Sequence, residues 1–134
     1  MLKTTLTLSA LYLTAVGIGL TFFPLAFGVG AVPPDASPEL ISLLRLLGGP
    51  FLGIAALNWL SRSREASMLG TILIANLTGF GAVALNDIWG VATGEARDIA
   101  AIFLIIHLLF ALAFAWLARA NRMEDSLRDT QPNG

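Results

Sequence analysis

The 134-residue chain is 56% hydrophobic and only 13% charged, a composition that excludes an ordinary water-soluble domain. A soluble chain of this size has too much surface for its volume to hide so many apolar side chains, so a bilayer is the expected solvent. The net charge of −1 gives no concentrated positive surface, and we therefore expect no nucleic-acid partner. The absence of cysteine excludes disulfides, thiolate metal sites and thiol redox chemistry.

The charged residues leave four apolar windows, each long enough to cross a bilayer core of about 30 Å as a helix. The predicted helices cover residues 5–27, 38–60, 66–89 and 97–118. The sequence thus predicts one all-α domain over residues 1–120, a four-transmembrane-helix antiparallel bundle. Basic residues gather at one end of this bundle, which places both termini in the cytoplasm. These residues are Lys3, Arg62, Arg64, Arg119, Arg122 and Arg128, against Arg97 at the other end.

The first predicted helix carries no acidic or basic side chain. Its apolar stretch is longer than the ~7–15 residues of a secretory signal, so we expect it to be retained. Its hydroxyls, on Ser9, Tyr12 and Thr14, are candidate partners for polar groups on other helices.

The second predicted helix contains Arg45, about 10 Å below the outer boundary by helical rise. A charge at the bilayer centre costs at least about 2.5–3.5 kcal/mol and normally has a partner. We expect Arg45 to pair with Asp87 of the third helix, with Asn86 or Glu39 accepting the remaining hydrogen bonds of the guanidinium.

The third predicted helix places Asp87 about 3 Å below the outer boundary. Asn76 and Asp87 are eleven residues apart, so they share one face of the helix. A polar line is therefore expected along that face.

The fourth predicted helix places His107 about 15 Å below the same boundary, among aromatic side chains. Its expected partner is Asn76 or a hydroxyl of the first helix. A metal would need at least two further ligands at matching depth, and Asp87 is about 12 Å too shallow. We therefore predict no metal and no cofactor.

These residues together define a candidate ligand or ion-pair crevice in the outer half of the bundle, and two interpretations of it stay open. In one, the crevice binds a ligand. In the other, the pair of Arg45 and Asp87 only holds helices together, and His107 is an interior residue whose hydrogen bonds are made within the bundle. The crevice residues are Arg45, Asp87, Asn86, His107 and Asn76.

Small residues predict where the helices approach one another, since lipid tails supply no hydrophobic drive between helices. Gly49 and Gly53 stand four apart on the second helix, and Gly79 lies on the third. They could pack helices within one chain or between chains. The polar tail, residues 121–134, is predicted to be disordered and cytoplasmic.

The run Leu44-Arg45-Leu46-Leu47-Gly48-Gly49-Pro50-Phe51-Leu52-Gly53 resembles a segment of the DoxX-like group of small bacterial membrane proteins. Arg45, Gly48, Gly49 and Gly53 correspond to the family pattern. The resemblance implies a four-helix inner-membrane protein, in a group where some members are linked to quinone-reducing systems. It implies no catalytic residue.

The sequence favours a non-enzymatic bundle that binds a small lipid-like or quinone-like ligand, or a partner subunit, through the crevice. The alternative is a small dimeric proton-coupled transporter in which Asp87 or His107 exchanges protons. An enzyme is not expected, because His107 has neither metal-ligand partners nor a nucleophile beside it. The expected partners are membrane lipid and a membrane subunit or a second copy of the chain.

Overall fold

A computed structural model describes residues 1–129 of the chain. In this range the fold is all-helical, with α1 (Leu2–Phe22), α2 (Pro24–Phe27), α3 (Pro38–Ser61), α4 (Gly70–Thr93) and α5 (Ala100–Asp129). A single 3₁₀ turn, Ala66–Met68, precedes α4. Four of these helices are long and apolar enough to cross a membrane: α1, α3, α4 and residues Ala100–Glu124 of α5. The chain is thus an all-helical, multi-pass membrane protein, as the composition predicts.

The ends of the helices follow local chemistry. The first predicted helix is divided at Phe23, whose backbone angles are φ −132° and ψ 47°, because Pro24 lacks an N–H and disfavours helical geometry in the preceding residue. Ser37 caps α3, its hydroxyl oxygen accepting the backbone N–H of Leu40 at 3.3 Å. Gly94, at φ 74°, ends α4 in the left-handed conformation that glycine adopts without strain.

Helix α5 begins and ends later than the sequence predicts. It starts at Ala100 rather than residue 97, and it continues to Asp129. The prediction that the tail is disordered is therefore wrong for residues 121–129, while residues 130–134 lie outside the described range. Asn121 is only 6% exposed, so the helix still packs against the bundle beyond residue 118.

The bundle consists of two helical hairpins. Helix α1 packs mainly against α3, and α4 mainly against α5, while α1 touches α5 at fewer points. Helices α3 and α4 share little backbone contact. A gap between the hairpins therefore lies along the α3–α4 side.

Most of the fully buried side chains lie towards one end of the bundle. This end, here called the terminal end, contains the start of α1, the end of α3, the start of α4 and the C-terminal half of α5. The opposite end, here called the loop end, contains the α1–α3 and α4–α5 connections. The completely covered apolar side chains, all at the terminal end, are Leu6, Leu69, Leu73 and Phe114.

Two helices do approach closely at glycines, but not at the three glycines that the sequence predicts. Gly17 and Gly48 bring α1 and α3 together: a methyl group added to Gly48 would lie 2.7 Å from the carbonyl oxygen of Gly17. A methyl group at Gly49, Gly53 or Gly79 would meet no atom within 4 Å. The prediction that those three glycines pack helices is wrong within this chain, because each lies on a helix face turned away from a neighbouring backbone.

Candidate functional site

Three polar side chains from three helices form a hydrogen-bonded chain near the loop end. The Asp87 carboxylate on α4 lies 2.5 Å from His107 Nδ1 on α5. The other ring nitrogen, Nε2, lies 2.6 Å from the hydroxyl of Tyr12 on α1. His107 and Asp87 are only 12% and 17% exposed. We call Tyr12, His107 and Asp87 the polar triad.

The triad forms because Asp87 and His107 lie at the same depth. Asp87 stands six residues before the end of α4 and His107 seven residues after the start of α5. At 1.5 Å per residue these positions are about 9 Å and about 10.5 Å from the loop end. The predicted mismatch of about 12 Å was wrong, because α4 extends four residues past Trp89 and α5 starts three residues later than predicted.

The direction of each hydrogen bond in the triad depends on which ring nitrogens of His107 carry a proton. An ionised Asp87 accepts the N–H of His107 Nδ1, which in a neutral imidazole leaves Nε2 to accept the Tyr12 hydroxyl proton. A proton added at Nε2 reverses the second bond, so that His107 donates and Tyr12 accepts. The Tyr12 hydroxyl hydrogen is then free to reach another acceptor.

Aromatic rings surround the imidazole. The ring centroids of Tyr12, Phe80 and Phe103 lie 5.6, 6.2 and 6.5 Å from that of His107. The Tyr12 ring meets the imidazole edge-on, while the Phe103 ring is stacked on it. These contacts fix the ring orientation that places both nitrogens against their partners.

A cavity of about 350 Å³ lies beside the triad, and Tyr12, Asp87 and His107 all line it. Its remaining walls are mostly apolar and come from α1, α3, α4 and α5. The apolar side chains of these walls include Leu13, Val16, Leu20, Phe51, Ile54, Val83 and Phe103. The cavity combines one polar wall with apolar surroundings, the usual composition of a small-molecule site.

The cavity opens sideways between α3 and α4. Ile54, on its α3 wall, is 41% exposed, and Ala75 and Gly79 on its α4 wall are also exposed. These residues lie within membrane-spanning helices, so this side of the cavity is turned towards lipid. Gly79, predicted to pack helices, instead keeps this opening clear by having no side chain.

Asn76 forms the floor of the cavity and is bonded away from His107. Its amide exchanges hydrogen bonds of 2.7 and 2.8 Å with the amide of Asn58 on α3. Asn58 also donates to the hydroxyl of Ser9 at 3.0 Å. The prediction named Asn76 or a helix-one hydroxyl as the partner of His107, and the structure selects Tyr12.

Two predicted crevice residues lie elsewhere. Arg45 is exposed on α3, does not line the cavity, and forms no ion pair within residues 1–129. Asn86 is exposed and also outside the cavity. The predicted Arg45–Asp87 pair is therefore wrong. On a 3.6-residue period Arg45 is turned by about a quarter of a circle from the face that buries Gly48 and Ala55.

Two residues in or beside the site were not identified from the sequence. Asn58 is an amide inside an apolar stretch, a signal that could have identified it. Arg97 is the first residue of the predicted fourth helix and enters the topology prediction only through its charge, yet it lines the cavity. Within residues 1–129 no three His, Cys, Asp or Glu side chains group together as a metal site would require.

Comparison with family models, with curated proteins and with solved structures finds no match to this chain.

Proposed function

We propose that this chain binds a small amphipathic molecule, lipid-like or quinone-like, in the cavity between its two hairpins, without catalysing a reaction. The observation that carries the proposal is a cavity of about 350 Å³ with apolar walls and the polar triad on one side. Small-molecule sites commonly span about 300–1,000 Å³ and combine apolar walls with a few fixed polar groups. The triad would orient the polar part of the ligand.

The lateral opening supports entry from the bilayer. An apolar ligand dissolved in lipid can pass between α3 and α4 at Ile54 and Gly79 without crossing water. Such a route suits a molecule that partitions into membranes, and it requires no rearrangement of the solidly packed terminal end.

Equilibrium binding of radiolabelled decylubiquinone and decanol to the protein in phosphatidylcholine nanodiscs tests the proposal, with empty nanodiscs as the blank. Gly79→Leu should fill the cavity and weaken binding of whichever probe saturates by about tenfold or more. Gly81→Leu is the matched control, because a side chain there also meets open space but lies outside the cavity. If neither probe nor the anionic probes used below binds saturably, or if Gly79→Leu binds as well as wild type, the proposal fails.

A dimeric proton-coupled transporter is the second candidate, and the Asp87–His107 bond favours it because such pairs hold exchangeable protons in membranes. Proteoliposomes loaded with a pH-sensitive dye and challenged with ethidium, a cationic aromatic probe, test it. A transporter of such compounds would change the internal pH with the wild-type chain and not with Asp87→Asn. No change with either protein favours the binding function.

We also propose that the chain lies in the cell inner membrane with both termini in the cytoplasm, and that it belongs with the DoxX-like proteins. The first part is supported by Lys3, Arg62 and Arg119 at the terminal end, against Arg97 at the loop end. Because the chain lacks cysteine, Ser63→Cys and Glu95→Cys provide single reporters. In intact cells a membrane-impermeant maleimide should label only Glu95→Cys, and the reverse result would invert the topology.

A partner subunit or a second copy of the chain is proposed to cover the exposed face of α3. That face carries Arg45, Gly49 and Gly53, and small residues allow close helix approach in membranes. Gly53→Cys should form a disulfide between two copies under mild oxidation if the occupant is a second copy. If only monomer were recovered, a homodimer through this face would be excluded.

A further inference from the structure

Arg97 stands at the loop end of the cavity in a fixed position. One guanidinium nitrogen, Nη1, donates to the carbonyl oxygens of Phe27 at 3.1 Å and Val29 at 2.8 Å. The guanidinium carbon lies 5.0 Å from the ring centroid of Phe103, which itself lines the cavity. The arginine is thus held by two backbone acceptors and one aromatic face.

The positive charge of Arg97 is not neutralised by any carboxylate in the described part of the chain. Among the side chains that the structure describes, the one ion pair joins Asp87 to His107, so Asp87 is already engaged. Arg97 Nε and Nη2 make no hydrogen bond to residues of that range. A half-buried guanidinium with free donors beside an apolar cavity provides a binding position for an anion, because a paired charge costs less to desolvate than an isolated one.

We infer that the ligand of this cavity is a single-chain acid, whose anionic head group binds Arg97 and whose alkyl chain lies along the apolar walls. The inference rests on the proposed binding function and specifies its ligand class. Arginine suits such a head group because its planar fork matches the oxygens of a carboxylate or a phosphate. The Tyr12 hydroxyl, on the same cavity, is available to a head-group oxygen when His107 carries the extra proton.

The test measures binding of decanoate, decyl phosphate and decanol to the full chain in phosphatidylcholine nanodiscs, which contain no net anionic lipid. The three probes have the same number of carbon atoms and differ in the head group. We expect at least one of the two anions to bind the wild-type chain about tenfold or more tightly than decanol. The reason is that an anionic head group can form a charge-assisted hydrogen bond that decanol cannot form. Tighter binding of decanoate identifies a fatty-acid carboxylate as the ligand chemistry, and tighter binding of decyl phosphate identifies a phosphate.

Two arginine variants locate the effect. Arg97→Gln should bind the anion only about as tightly as it binds decanol. Arg64→Gln removes the same charge from an exposed position outside the cavity and should leave the preference for the anion unchanged. Comparable binding of all three probes to wild type overturns the inference on the head group while the binding function stands. A preference that persists in Arg97→Gln also overturns it. Binding of none of the three, nor of decylubiquinone, removes the proposed function itself.

Discussion

The terminal end and the loop end of the bundle are built from the same four helices, yet their buried polar groups lie in different surroundings. At the terminal end Asn58 and Asn76 satisfy each other through two hydrogen bonds, and Ser9 accepts a third. At the loop end Tyr12 and His107 are also bonded, but they border a cavity. Polar groups within the membrane can thus serve either to join helices or to present a site, and the space left beside them decides which.

The largest effect on stability is expected where α1 and α3 touch. Gly48→Leu would force a side chain against the Gly17 carbonyl oxygen, and overpacking of this kind costs about 3 kcal/mol of unfolding free energy at its upper range. Unfolding in detergent by denaturant titration, followed by tryptophan fluorescence, measures the loss. Gly49→Leu is the control and should be neutral or slightly stabilising, since it meets open space. Equal losses in the two variants would contradict the assigned helix contact.

The amide pair at the terminal end should give the next largest effect. Asn58→Leu leaves the buried amide of Asn76 without its partner on α3, and we expect a loss of about 2 kcal/mol in unfolding free energy. Asn76→Leu should cost about the same. The double variant should lose clearly less than the sum of the two, because no amide is then left unpaired. Additive losses would show that the pair does not join α3 to α4.

The smallest effect on stability is expected at the loop end. His107→Leu removes two hydrogen bonds. Such bonds in membrane proteins contribute about 0.6 kcal/mol each on average, so we expect a loss of about 1.2 kcal/mol in unfolding free energy. The double variant Asp87→Leu with His107→Leu should regain most of that loss, since apolar replacement of a buried ion pair is often neutral. The same denaturant titration measures both variants. If the double variant lost as much stability as Asn58→Leu, the result would show that the triad stabilises the fold rather than forming a binding site.

The sequence was sufficient to predict the four spans, because charged residues bound long apolar windows and a bilayer admits only helices of that length. It also predicted Asp87, His107 and Asn76 as residues of the site. The pairing of Asp87 with His107 was not predictable, because an error of three or four residues at each end of the α4–α5 connection shifts the relative depth of two helices by about 10 Å. The depths of Asp87 and His107 depended on that connection.

The faces of α3 were equally hard to predict. Gly48 and Gly49 are adjacent in the chain, yet one packs against α1 and the other meets open space. A helix rotates by about 100° per residue, so the choice between two neighbouring glycines decides the packing face. Arg45 is predicted to line the cavity because a charge within the membrane needs a partner. In the structure the arginine that lines the cavity is Arg97, which lies outside the spanning helices.

Mass spectrometry of the intact chain, released from nanodiscs formed directly from cell membranes, tests the central claim most directly. If the cavity at the loop end binds a ligand from the bilayer, the wild-type chain should carry one small amphipathic molecule per copy. Gly79→Leu should lose that molecule, and Gly81→Leu should keep it. A wild-type chain with no such molecule, or a Gly79→Leu chain that retains it at the same level, would contradict the account.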